Sequence, residues 1–279
     1  MHTSSVILLC LVPVASLAAQ VTAAYPQRDS ETVGTAVVAN YENREWAHEF
    51  QQGPFRFHSE FVIKTAPLMR DLGQIQKELK GSLGIEAGKR TIDVYFYQDW
   101  NGYRRATKAY IPKGLVRRAL FVKGTKQSYV FAYRHRGFDT DVRHECTHAL
   151  IHNAVDFIPL WMDEGLAEYF EKKAGNDRIR PPALGEVRRA MLWRQSFALE
   201  DLERLNSISE MGYTQYRNSW AWIHFLMNDP GDQSAGRKVL SNYLAEIHKG
   251  KPPGAFSEFL RKSMTNDRVR MTQHFRTFR

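Results

Sequence analysis

The chain has 279 residues with 43% hydrophobic, 12% aromatic and 25% charged content, enough for one substantial core plus a modest appendage, and no internal repeat or low-complexity stretch. Thirty-nine Lys and Arg against 30 Asp and Glu leave a net charge of +9, which favours acidic surfaces such as anionic envelope polymers or membrane headgroups, although a solvated basic face accounts for the same excess. No nucleic-acid-binding motif accompanies that charge, which argues against nucleic acid as a partner.

Residues 1–24 read as a secretory signal peptide. Ser4 to Ala19 is apolar and rich in small residues, Ala18, Ala19, Ala23 and Ala24 offer cleavage positions, and only His2 stands where a basic segment is expected. The run is short for a stable membrane span, and the bulky Leu9 argues against lipid modification of Cys10. Export makes the mature chain secreted, periplasmic or envelope-bound. It leaves Cys146 as the one remaining cysteine, so no intrachain disulfide forms. Residues 25–53, broken by Pro26, Gly34 and Gly53, read as an arm or linker.

The main domain is expected over 54–229. Phe55 to Lys64 has strand character, and Ala66 to Leu83 is an amphipathic helix with Leu68, Leu72, Ile75, Leu79 and Leu83 on one face. Thr91 to Tyr97 alternates as a strand, and Ala119 to Val122 with Ser128 to Tyr133 form a hairpin through Gly124. Asp139 to Asn153 reads as a helix capped by Asp139 or Thr140, and Leu160 to Lys172 as a second helix after Pro159. Tyr213 opens an aromatic-rich helix. From about Pro230 onward, Ala235 to His248, Gly254 to Ser263 and Asn266 to Phe278 give a helical region over 230–279 with accumulating Arg and Lys. Strands first and helices after predict an α+β fold, with a small mixed sheet packed on the Asp139–Asn153 helix.

That helix carries His144-Glu145-Cys146-Thr147-His148, an H-E-x-x-H string. Residues four apart share a helix face about 6 Å apart along the axis, so both imidazoles reach one ion. Glu145, one step round, is close enough to take a proton from a water held there. On the second helix Glu164 and Glu168 fall four apart. An open catalytic zinc site takes three protein ligands and one water, and His144, His148 and Glu164 supply the three. Glu168 is expected to accept the free ring N–H of a liganding His. Two imidazoles and one carboxylate suit Zn2+. His152 extends the row but lies about 12 Å along the axis from His144, too far to share the ion. Cys146 reads as a small buried side chain against the sheet.

The pattern H-E-x-x-H, fifteen residues, then Glu164-Gly165-Leu166-Ala167-Glu168-Tyr169 resembles the gluzincins, the zincin metallopeptidases with a glutamate as third ligand. It is similar above all to small secreted peptidase MA-like domains, sharply over 140–172 and diffusely over 55–228. The metzincin pattern is excluded, because Ile151 and Ala154 stand where Gly and His are needed. The resemblance implies a zincin-like fold and an edge strand, Ser128–Tyr133 or its neighbour, that holds an extended substrate. It also implies an oxyanion-stabilising Tyr, for which Tyr216 is the match and Tyr213 and His224 the alternatives. The G-x-M-E-N element of aminopeptidases is absent.

The resulting expectation is a secreted zinc metallopeptidase acting on peptide or protein substrates, with Glu145 as general base and Tyr216 steadying the oxyanion. Two other readings remain open: an envelope domain that contains metal and binds peptide or wall material without cleaving it, and metal-assisted hydrolysis of a non-peptide amide or ester.

Overall fold

The computed structural model describes residues 44–63, 65–88, 90–111, 116–124, 127–229, 235–251 and 253–277. The expected signal peptide over 1–24, Cys10 and most of the arm expected over 25–53 lie outside the described residues. The fold is α+β, with a five-stranded mixed sheet in the order β1-β2-β3-β5-β4 and helices on both faces.

The sheet begins inside the stretch read as an arm. Strands β1 (His48–Gln52) and β2 (Phe55–Ser59) pair antiparallel through a turn at Gly53, whose φ of +57° suits glycine. Sequence pattern missed β1 because it is an edge strand with one inward ring, Phe50, stacked on Phe57 at 4.8 Å. Helix α1 (Thr65–Leu83) then carries the chain over to β3 (Ile92–Tyr97), which pairs parallel with β2. The five leucine and isoleucine positions expected on the inner face of α1 are all buried.

Every residue of β3 is buried, because both faces of the sheet are covered. Ile92, Val94 and Phe96 face the main core, whereas Tyr95 and Tyr97 join a second cluster with Tyr103, Ala106 and Phe131. Helix α2 (Trp100–Thr107) supplies that outer cover, and the Asp99 carboxylate caps it by accepting from the Gly102 amide at 2.9 Å. Strand β4 (Ala119–Lys123) pairs antiparallel with β5 (Ser128–Tyr133), which also pairs parallel with β3. β5 is therefore interior, and its neighbour β4 is the edge.

Helix α3 (Phe138–Ala154) crosses behind β4 and β5, buried on nearly every side. Its N-cap is Gly137 with no side-chain cap, not Asp139 or Thr140; Asp139 and Asp141 sit in the first turn, where the helix dipole favours them. Then come α4 (Leu160–Phe170), α5 (Asn176–Ile179), α6 (Ala183–Leu192), α7 (Leu199–Glu203) and α8 (Tyr213–Asn228). Three helices finish the chain: α9 (Ala235–His248), α10 (Phe256–Ser263) and α11 (Asp267–Thr277). They form no separate appendage. α9 packs on α8 and α1, and Leu240, Tyr243, Phe256, Leu260 and Phe275 belong to the main core. No helix among the described residues is long and apolar enough to cross a membrane.

A buried histidine pair joins α8 to α11. His224 Nδ1 lies 3.1 Å from His274 Nε2, and His224 Nε2 lies 2.9 Å from the Ile179 carbonyl. Burial lowers the pKa of His224 to about 4 and that of His274 to about 3, the latter aided by the neighbouring ring. Both rings are thus neutral in the fold, and an unfolded chain binds more protons below about pH 6.5. Stability should be undiminished above that pH and fall as pH drops, until the buried rings themselves protonate. For His224 the loss is about 3 kcal/mol. Thermal unfolding followed from pH 7 to pH 4 should show a shallower decline in His274→Gln than in the parent chain; identical slopes would remove the pair from the account.

Candidate metal centre

His144 and His148 stand one turn apart on α3, and Glu164 lies in the first turns of α4. Their ligand atoms converge. His144 Nε2 and His148 Nε2 are 3.2 Å apart, and Glu164 Oε2 is 3.7 Å from the first and 3.8 Å from the second. Four-coordinate zinc with bonds of about 2.0–2.1 Å separates its ligands by about 3.4 Å. Among the described residues a second cluster, His144, Glu168 and Glu171, also brings ligand atoms together, but only the first combines two His with Glu164, and its three side chains are largely buried.

The opposite ring nitrogens decide what this triangle can hold. His148 Nδ1 lies 2.9 Å from Asp163 Oδ1, and His144 Nδ1 lies 3.1 Å from Glu171 Oε2. A proton on each Nδ1, facing a carboxylate, leaves both Nε2 atoms as lone pairs. Two lone pairs 3.2 Å apart repel unless a cation lies between them. Glu164 Oε2 is buried with no hydrogen-bond partner and adds a third donor. Two neutral imidazoles and one carboxylate fit a zinc-type divalent cation. Burial disfavours charge on His144, yet the Glu164 and Glu171 carboxylates beside it hold its pKa well above the usual value. A proton is therefore the ion's competitor at this point.

The carboxylate behind His144 is Glu171, not Glu168 as expected. Seven residues from Glu164 bring a side chain back to within about 20° on a helix, whereas four leave it about 40° away. Arg143 holds Glu171 in place through its carbonyl at 2.6 Å, and Lys172 Nζ lies 2.5 Å from its carboxylate. Glu168 lies beside this pair, its pKa pushed up to about 7 by burial and by the charge of Glu171. Asp163 was also missed. Its carboxylate spans His148 and His152, the latter at 3.0 Å, and it is held far below the usual range: burial opposes its charge, but the two rings outweigh burial. The sequence signal was the acid immediately before Glu164, facing two His spaced four apart. His152 is accordingly a partner of Asp163 and not a ligand. Cys146 is fully buried as expected, and burial pushes its thiol far up.

Helix α8 closes the site from the other side. A Cβ on Gly165 would meet the Ser219 carbonyl oxygen at 2.7 Å and Ile223 Cγ1 at 2.8 Å, so glycine lets α4 and α8 touch. Three residues before Ser219, Tyr216 lies within electrostatic reach of Glu164 and Glu168 and hydrogen-bonds with Arg117, whose N–H donates. Burial and the Glu164 charge push the Tyr216 phenol up to about 12, against the opposing pull of Arg117, which keeps it a proton donor. Neither alternative reaches this place: Tyr213 is exposed and bonded to Glu186, and His224 belongs to the buried pair with His274. Arg117, from the segment leading into β4, was not anticipated. It is half-buried and feels the charges of Tyr216, Glu145 and Glu164. Glu145 is buried on α3 beside His144.

No protein-family model matches the chain, and no curated protein matches it significantly.

Zinc titration of the purified, metal-stripped chain should reveal one tight site that is lost in His144→Ala, His148→Ala and Glu164→Gln. Asp163→Asn and Glu171→Gln should bind about 10–100-fold more weakly, because they release the rings without removing a ligand. Gly165→Ala should lower the unfolding free energy by about 1–3 kcal/mol in chemical denaturation, since the added methyl meets backbone.

Proposed function

We propose that the chain is a zinc-dependent metallopeptidase of gluzincin type with a zincin-like fold. The observation that carries this reading is the convergence of His144 Nε2, His148 Nε2 and Glu164 Oε2 on one point, with the Glu145 charge within electrostatic reach of His144. A pure metal-binding module has no use for that fourth group.

A zinc ion held by His144, His148 and Glu164 would polarise a carbonyl and lower the pKa of an attacking water toward about 7. Glu145 accepts the proton of that water as it attacks the scissile carbonyl, then passes it to the departing amine. Tyr216 donates its phenolic hydrogen to the oxyanion that develops, while its oxygen accepts from Arg117. Asp163 and Glu171 keep the two imidazoles in the tautomer that turns Nε2 toward the centre. Edge strand β4 packs against α3, and Phe121 stacks on His148 at 6.1 Å and on His152 at 5.4 Å. Among the described residues no strand pairs with its outer edge, which suits an extended peptide laid beside the centre. β4 thus takes the substrate-holding role that the sequence offered to Ser128–Tyr133 or its neighbour. Without the aminopeptidase recognition element, cleavage within a chain or of narrow specificity fits better than removal of N-terminal residues.

Zinc-loaded chain incubated with an unfolded protein substrate should yield fragments, and Glu145→Ala with equal zinc content should yield none. Tyr216→Phe should retain zinc and lose about 2–4 kcal/mol of transition-state stabilisation, read as a fall in kcat larger than any change in KM. Zinc binding with no cleavage by either chain would turn the reading toward an envelope domain that binds without cleaving.

A further inference from the structure

Arg117 deepens the reading just proposed, and the inference drawn from it rests on that reading. The register Ala119↔Ala132 places the start of β4 at the end of the sheet where β3 and β5 finish and from which the chain enters α3. Arg117, two residues before β4, is therefore delivered to the mouth of the metal centre by the edge strand. There it meets groups from three different helices: Tyr216 of α8 as a hydrogen-bond partner, Glu145 of α3 and Glu164 of α4 as neighbouring charges.

A guanidinium has five N–H donors in a planar fork, and one phenol oxygen cannot satisfy them. Among the described residues no carboxylate lies within ion-pair distance of Arg117. Its neighbour Arg118 contrasts with it, being paired with Asp141 at 3.1 Å. Tyr103 of α2 lies within electrostatic reach of Arg117 and Glu145. Its chain neighbours Arg104, Arg105 and Lys108, and Arg136 just after β5, are exposed and form no ion pair among the described residues. Of the acids at this end, Asp141 is engaged by Arg118 and His135, and Asp99 caps α2; Asp139 stays exposed.

We propose that Arg117 recognises a substrate carboxylate, so that the centre acts on peptides carrying an acidic group close to the scissile bond. A carboxylate takes two parallel bonds from the guanidinium fork, an amide takes fewer, and an ammonium is repelled. The outer cations draw such a peptide in and Arg117 fixes its register. The carboxylate belongs either to an Asp or Glu side chain or to the C-terminus of the peptide itself, and both sources present the same chemistry.

The test separates recognition from catalysis. Zinc-loaded full chain carrying Glu145→Ala is titrated with fluorescent peptides of one host sequence. Glu, Gln or Lys is moved through the positions around the centre of that sequence, and each peptide is made with a free and an amidated C-terminus. Binding of the best Glu or free-terminus peptide is expected to be about ten-fold tighter than that of its Gln or amide counterpart. The difference should vanish on adding Arg117→Gln and return in part with Arg117→Lys, at unchanged zinc content and circular dichroism. A preference lost with Arg117 for the side chain or for the free terminus supports the proposal and names the source. Equal binding of all peptides, or a preference that survives Arg117→Gln, overturns it. Cleavage by the zinc-loaded parent chain is scored separately: if binding depends on Arg117 but nothing is cut, the peptidase reading fails and the recognition stands; if peptides are cut without acid preference, only the recognition falls.

Discussion

Two imidazole nitrogens 3.2 Å apart, each forced to present a lone pair because its partner nitrogen faces a carboxylate, constitute the constraint from which the rest of this structure can be understood. Such a pair is unfavourable by itself in a buried place. It persists because α3 is clamped on all sides and because the acids behind the rings are themselves held. Glu171 is fixed by Arg143 and Lys172, and Arg143 reaches on to Asp71 of α1 at 3.0 Å. The strain at the centre is thus distributed over α1, α3 and α4. On the reading proposed above a cation completes the site, and metal binding and folding are then expected to be linked.

The ligands were legible in the sequence because their spacing is a property of one helix: His144 and His148 must share a face whatever surrounds them. Glu164 was legible by motif, since a third donor on a separate helix follows from no local rule. The acids behind the rings were harder. Choosing Glu168 over Glu171 followed the four-residue rule, whereas the seven-residue step returns closer to the azimuth of Glu164. Asp163 had no reading of its own in the sequence, and only the fold sets it against His148 and His152. Arg117 had no local signal. Its role depends on a strand register and on a contact with a residue about a hundred positions away in the chain, which single-sequence pattern does not encode.

The fold divides the same way. Elements with a strong period, such as α1, β3, β5 and α9, match the sequence reading to within a residue or two. β1 was lost because an edge strand with one inward ring does not alternate visibly, and α2 because its apolar residues serve the outer face of the sheet, away from the main core. Sequence pattern puts 230–279 in a helical region beyond the main domain. Phe256, Leu260, Met271 and Phe275 of α10 and α11 lie inside the common core.

The crossing of α4 and α8 ties packing to chemistry. Glu164 and Gly165 are adjacent, so the side chain that reaches the centre and the missing side chain that admits α8 are set by neighbouring positions. On α8 the matching small residue is Ser219, fully buried. One turn earlier on the same helix is Tyr216. Its approach to Glu164 is therefore fixed by how closely two backbones can meet, and a bulkier residue at either 165 or 219 would push the phenol away from the centre before it touched any ligand. The Gly of the Glu-Gly-Leu-Ala-Glu-Tyr string, which carries no reactive atom, thus helps decide how near the Tyr216 phenol comes to Glu164.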